Sequence, residues 1–230
     1  MVIAHRGAWG QSASNGLVEN TLEAFEAAIE LGADMIELDV RRTGDGLLIV
    51  FHDAWVKANP TSSLRYDALS VKRTGSRPPL LRDVLELTKD RIELNLEVKE
   101  PGCVADTVEL LRPFGLDRCL VSSFLDDVVL EAKTLAPELR TGLLIATGLR
   151  RALAARLPAS KADRLCLHRR LADDRALTRA AEAGVPCIIW TVNAAPALDR
   201  YLGHPAVEGV ITDRPALALD RRERLPVTGE

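Results

Sequence analysis

Eight short apolar runs, beginning near Val2, Met35, Ile92, Cys119, Arg140, Arg164, Pro186 and Gly209, alternate with segments such as TLEAFEAAIELG, DDVVLEAKTLAP and RALTRAAEAG. Runs rich in Val, Ile and Leu and bounded by turn residues read as buried strands. Apolar residues recurring every three or four positions read as helices packed by one face. Strand and helix in strict alternation favour parallel strands joined by crossover helices. Eight such units within 230 residues predict an α/β chain folded as a small (β/α)₈ barrel, the TIM-barrel architecture. An open doubly wound sheet would carry a G-x-G-x-x-G loop after its first strand, and HRGAWGQ does not supply one.

One element breaks the alternation. In MIELDVRRTGDGLLIVFHD, residues 35 to 53, two apolar runs flank Gly-Asp-Gly. A tight turn cannot make a parallel crossover, so Leu47 to Phe51 runs back antiparallel as a β-hairpin excursion after the second strand. The outgoing strand carries Glu37 and Asp39 on one face, since residues two apart share a side. A two-residue loop at Gly44-Asp45 sets His52 opposite Glu37, and one at Asp45-Gly46 sets it opposite Asp39. In either register the hairpin returns an imidazole to a pair of carboxylates.

In such a barrel the chemistry gathers at the C-terminal ends of the strands. Those ends carry His5-Arg6-Gly7, Glu37-x-Asp39, Glu97-x-Lys99, Ser122-Ser123-Phe124, His168, Trp190-Thr191-Val192-Asn193 and Thr212-Asp213. Carboxylates crowded at one rim raise one another's pKa unless a cation lies between them. Glu37, Asp39 and Glu97 form an all-oxygen set that suits a hard divalent ion, Mg²⁺ or Ca²⁺, better than zinc. The structural alternative is a set of ion pairs with Lys99, Arg41 or Arg42. His5 and His52 are candidates for an acid/base couple. Arg6 and Lys99 supply positive charge for a phosphate. Trp190 reads either as a core aromatic or as a pocket wall, and its place before Asn193 favours the wall.

The formal charge of −3 and the mixed acidic and basic residues exclude the electrostatic footprint of a nucleic-acid binder. No run reaches the length of a membrane span, and MVIAHRG lacks the features of a secretion signal. A cytoplasmic chain with no stable membrane association is expected. Cys103, Cys119, Cys166 and Cys187 are scattered singly and read as buried reduced thiols.

Taken in order, HRG, the EN-T-x-x-A-F run at Glu19 to Phe25, GAD-x-I-E-x-DV at Gly32 to Val40, T-x-DG, HD, L-N-x-E-x-K, SSF, WTVN and ITDRP resemble the glycerophosphodiester phosphodiesterase family. The resemblance runs from residue 2 to about 216. It implies a metal-dependent barrel hydrolase that cleaves a small-molecule glycerophosphodiester to an alcohol and glycerol 3-phosphate. By the matching motifs, Glu37, Asp39 and Glu97 hold the metal, His5 and His52 act as general base and general acid in either order, and Arg6 and Lys99 bind phosphate. A lysophospholipase D-like enzyme and a non-catalytic barrel that binds a phosphorylated ligand are the alternatives.

Two segments depart from that family's pattern. The eleven residues AWGQSASNGLV between Gly7 and Glu19 are longer than its usual loop and suit a mobile rim. After His52 only Ala54 to Pro78 is available, a short polar loop where the family inserts a sizeable subdomain. The expected organisation is one catalytic barrel over residues 1–219 with a short insertion at 54–78, then a flexible tail at 220–230 that contains LPVTG.

Overall fold

The computed structural model describes residues 1–10, 16–72, 74–146 and 153–225. Among these, eight parallel strands close into a barrel: β1 (Val2–His5), β2 (Met35–Arg42), β6 (Glu93–Val98), β7 (Cys119–Ser123), β8 (Arg140–Ile145), β9 (Arg164–His168), β10 (Cys187–Trp190) and β11 (Val207–Thr212). Closure is made by β1, which pairs with β2 through His5 opposite Glu37 and with β11 through Ala4 opposite Thr212. Helices α1 (Leu22–Glu30), α2 (Leu81–Thr88), α3 (Val104–Leu111), α4 (Asp126–Leu135), α5 (Leu153–Ser160), α6 (Asp174–Glu182), α7 (Ala195–Leu202) and α8 (Pro215–Glu223) follow the strands. No helix among the described residues is long and apolar enough to cross a membrane.

The strand alternation sorts side chains between two cores. Outward residues such as Ile36, Leu38, Val40, Leu94, Leu96 and Val98 pack under the helices. Inward residues Ile3, Met35, Leu120, Leu144, Cys166, Ile188 and Ile211 fill the barrel. A packed interior of this kind is a floor and not a channel, so polar inward residues collect above and below it, the reactive ones above, at the C-terminal strand ends. The four cysteines are free and buried, and burial pushes the Cys119 thiol up to about 12.

The short return strand β3 (Leu48–Val50) pairs antiparallel with β2, Val40 facing Val50 and Arg42 facing Leu48. The loop has three residues, not two. Thr43 and Leu47 close it through the Thr43 N–H to the Leu47 carbonyl at 2.9 Å, and Gly46 takes the left-handed conformation at φ 87 that such a loop needs at its last position. That extra residue overturns both expected registers. The Phe51 N–H meets the Asp39 carbonyl at 2.9 Å, and His52 lies beyond the paired strand.

The segment after His52 is a small folded unit where a polar loop was expected. It contains the two-residue strands β4 (Trp55–Val56) and β5 (Asn59–Pro60), then single 3₁₀ turns at Thr61–Ser63 and Tyr66–Ala68. Ile49, Leu69 and Leu80 form its apolar centre, with Phe51, Val56, Leu64 and Tyr66 packed against it. Hydrogen bonds from Gly44 N–H to the Leu64 carbonyl (2.7 Å) and from Tyr66 N–H to Asp45 (3.0 Å) pin it to the hairpin. These apolar residues follow neither period 2 nor period 3.6, which is why the stretch reads as irregular in sequence.

The expected tail boundary at residue 220 also shifts. Helix α8 continues to Glu223, and Arg221 and Arg222 are ion-paired with Asp199 and Asp34. Residues 226–230, with most of LPVTG, lie outside the described residues, as do residues 11–15 of the loop expected to form a mobile rim.

Candidate active site

The rim is assembled by three local devices. Gly7, at φ 87, brings the chain so close to α1 that a Cβ there would lie 2.7 Å from the Ala24 backbone. Thr21 caps α1 by accepting from the Ala24 N–H, which fixes the start of the helix over the barrel mouth. The residue before that cap, Asn20, then reaches inward: its Nδ2 donates to Asp39 Oδ2 at 2.7 Å, and the Asp39 N–H donates to its Oδ1 at 3.4 Å.

Glu37, Asp39 and Glu97 converge as expected, with one ligand oxygen from each lying within 4.8 Å of the others. All three are buried, and Asp39 is 0 % exposed. Lys99 Nζ lies 2.7 Å from Asp39 Oδ1 and also pairs with Glu97 Oε1, and Arg6 Nε lies 3.0 Å from Asp39 Oδ2. The alternative of ion pairing thus holds for Lys99 but not for Arg41 and Arg42, which pair with Glu100 and Asp106. Burial drives Glu37 up to about 7, helped by the neighbouring Asp39 charge. Burial pushes Asp39 the same way, but the Lys99 ammonium and Arg6 guanidinium outweigh it and hold Asp39 at about 2. Glu97 is raised, by burial against the pull of Lys99.

The donor set fits a divalent metal. Asp39 Oδ1 and Glu97 Oε1 are buried without a well-formed hydrogen bond, facing the one ammonium they share, that of Lys99. Two buried carboxylate oxygens left this way are costly, and with Glu37 beside them they form the arrangement a hard cation satisfies.

His5 approaches this cluster with Nε2 3.8 Å from Glu37, while its Nδ1 bonds Asp213 Oδ1 at 2.5 Å. Asp213 is held in turn by Asn193, whose Nδ2 donates to its Oδ2 at 2.5 Å and whose Oδ1 accepts from the Thr212 hydroxyl at 3.0 Å. This chain selects the tautomer with the proton on Nδ1 and leaves Nε2 to face the cavity. Burial lowers the His5 pKa, but the Asp213 hydrogen bond and the Glu37 charge prevail, so it rises above the ordinary value.

A 240 Å³ cavity is lined by His5, Arg6, Glu37, His52, Glu97 and Lys99 on one side and by Phe124, Leu144, Trp190 and Ile211 on the other. His52, although displaced from the expected register, therefore still reaches the same cavity. Its Nδ1 is 3.0 Å from Asp53, and its carbonyl accepts from Arg41 Nε at 2.9 Å. Trp190 is a wall: its indole N–H donates to the Cys166 carbonyl at 2.8 Å, and its ring meets Phe124 edge-on at 5.5 Å. His168 also meets its ring edge-on, at 5.0 Å. Asp39 lies beneath the cavity, covered by Arg6, Asn20 and Lys99.

Glu19, Asn20, Asn193 and Asp213 join the expected residues. The first two stand in the EN-T run, and the last two at the ends of β10 and β11. Their sequence positions mark them as rim residues, but their partners lie up to 208 positions away, as for His5 and Asp213.

A barrel with two imidazoles, two cations and three buried carboxylates at its mouth is a member of the phosphoryl-transfer class of barrel hydrolases. The glycerophosphoryl diester phosphodiesterase family model matches residues 5–217, and the chain belongs to that family. It is 32 % identical to a glycerophosphodiester phosphodiesterase of Caldanaerobacter subterraneus subsp. tengcongensis, with 94 % of each chain covered. It is 30 % identical to a probable glycerophosphodiester phosphodiesterase of Mycobacterium tuberculosis, over 96 % of this chain and 89 % of that one. An Oleispira antarctica phosphodiesterase, solved in complex with the product sn-glycerol-3-phosphate, superposes with a TM-score of 0.83 at 26 % identity, over 97 % of this chain and 96 % of the other.

Proposed function

We propose that this chain hydrolyses glycerophosphodiesters to an alcohol and sn-glycerol 3-phosphate with a divalent metal, Mg²⁺ or Ca²⁺, held by Glu37, Asp39 and Glu97. The observation that carries this reading is the convergence of His5, His52, Arg6, Lys99 and the buried carboxylate cluster on one small cavity. When bound, the metal supplies Lewis-acid polarisation of the phosphate oxygens. Arg6 and Lys99 place fixed positive charge where the extra negative charge of the transition state develops. The relative bound to sn-glycerol-3-phosphate supports the substrate class.

His5 Nε2 takes the proton of the attacking hydroxyl, whether of water or of the glycerol itself; where the glycerol hydroxyl attacks, water then opens the cyclic phosphate it forms to give sn-glycerol 3-phosphate. Asp213 holds Nδ1 and stabilises the imidazolium that results. His52, at the outer edge of the cavity and more open to solvent than His5, gives its proton to the departing alcohol. Phe124 and Trp190 pack against the glycerol carbons at the opposite wall. In-line displacement requires nucleophile and leaving group on opposite sides of phosphorus, so this reading seats the phosphorus between the His5 and His52 imidazoles.

The test is release of sn-glycerol 3-phosphate from glycerophosphocholine with Mg²⁺, with Ca²⁺ and with excess chelator. Chelator-sensitive release is expected. Release that persists in chelator removes the metal from the reading. No release from this or any other glycerophosphodiester overturns the assigned reaction.

A further inference from the structure

The insertion at 54–78 differs in charge from the rest of the chain. It carries Lys57, Arg65, Lys72, Arg73 and Arg77 against one carboxylate, Asp67, while the whole chain has a formal charge of −3. The insertion is therefore basic and the remainder acidic on balance, a separation that orients a molecule in the field of a charged partner. The carboxylates near the insertion are already engaged. Asp45 accepts from the Tyr66 N–H at 3.0 Å and faces Arg65 at 3.9 Å, Asp67 faces Arg65 at 3.5 Å, and Asp53 pairs with His52. Lys57 and Lys72 are exposed and have no ion pair among the described residues. On the same unit the β4–β5 hairpin holds Trp55 outward. Its 60 % exposure exceeds that of every other large hydrophobic residue among those described, although its neighbour Val56 packs on the apolar centre. Trp55, Lys57 and Lys72 border one opening beside His52, so the indole and the two unpaired cations share a face.

From these observations we infer that this face docks reversibly on an anionic lipid bilayer, with Lys57 and Lys72 among the headgroups and Trp55 seated at the interface. A group of four to eight Lys and Arg residues is the electrostatic pattern that anionic lipid attracts. Tryptophan, with an apolar body and one N–H, is a side chain that settles at headgroup depth. A soluble polyanion would satisfy the cations but offers the indole no apolar phase to enter, so the pairing of the two favours the bilayer. Attachment of this kind needs no spanning helix, and none is present among the described residues. Being electrostatic and reversible, it leaves the expectation of no stable membrane association standing. Its consequence is orientation: the barrel mouth, with His52 at its border, faces the lipid surface. The inference is independent of the reaction proposed above.

The experiment co-sediments the full chain, in chelator, with vesicles of phosphatidylcholine alone and of phosphatidylcholine with about one third phosphatidylglycerol, at about 50 mM and about 500 mM salt. The chain should bind the anionic vesicles at low salt, bind the neutral ones at least about tenfold more weakly, and be released at high salt, where the Debye length shrinks. The double substitution Lys57→Gln with Lys72→Gln should lower partitioning about 25-fold, at about fivefold for each basic residue at the surface. Anionic vesicles with brominated acyl chains should quench the tryptophan fluorescence of the wild type, and Trp55→Phe should lose most of that quenching. No binding at low salt, equal binding to both vesicles, unchanged partitioning of the lysine variant, or quenching that survives in Trp55→Phe each overturns the inference. Binding to polyphosphate as tight as to the vesicles, without bromine quenching, assigns the face to a soluble polyanion and overturns the bilayer as its partner.

Discussion

Replacing Glu37 by Gln should stabilise the metal-free protein at alkaline pH while abolishing its activity. Glu37 is fully buried, and burial, aided by Asp39, lifts its pKa from 4.5 in the unfolded chain to about 7 in the folded one. Below pH 4.5 the carboxyl is protonated in both states and costs nothing. Between 4.5 and 7 the unfolded chain releases a proton that the folded chain keeps, so stability falls as pH rises, and above 7 the loss levels off at about 3 kcal/mol. His5 adds to this with the same sign, since its raised pKa contributes stability below 6.5 that is lost as pH climbs through the folded value. A glutamine cannot ionise, so Glu37→Gln removes the larger part of the slope. In excess chelator, urea unfolding followed by circular dichroism should give nearly equal stabilities at pH 4.5 and a variant more stable by up to about 3 kcal/mol at pH 8. Mg²⁺ or Ca²⁺ should raise the wild type at pH 8 by mass action and the variant much less. A variant no more stable than wild type at pH 8 in chelator would refute the picture of a carboxylate held in place against its own ionisation.

Three further substitutions bear on single parts of the site. His52→Ala removes a half-exposed side chain, so the unfolding midpoint should stay put while kcat falls by about two or more orders of magnitude; activity near wild type would take His52 out of the chemistry. Asp39→Asn should weaken Mg²⁺ or Ca²⁺ binding by at least tenfold in calorimetry, and an unchanged affinity counts against the ligand set. Asp213→Asn keeps the shape but turns the His5 partner from an obligate acceptor into a group that also donates. It should lower kcat by about a hundredfold with little change in KM, and a raised KM with kcat unchanged would point to a binding role instead.

The barrel, the rim and most of the reactive groups follow from the chain read locally. Strand and helix periods are short-range properties, so eight alternating units define the closed parallel sheet, and residues two apart such as Glu37 and Asp39 must share a face whatever surrounds them. The His52 register depended on something finer. A left-handed Gly46 lengthened the loop by one residue, and Gly-Asp-Gly accommodates either length without a change of composition.

Tertiary structure decided how the site is divided and wired. Asp213 meets His5 because β1 closes the barrel against β11, a pairing between opposite ends of the chain. Asn20 meets Asp39 because the close approach at Gly7 seats α1 over the mouth. The small folded unit after His52 exists because Val56, Leu64 and Tyr66 pack on Ile49, Leu69 and Leu80, contacts with no period to announce them. Periodicity states which way a side chain points, so the amino-acid sequence determined the barrel and the chemistry at its rim. Which two side chains touch across distant segments is settled only when the whole core packs, and that step placed the His5 partner, the position of His52 and the shape of the space beside it.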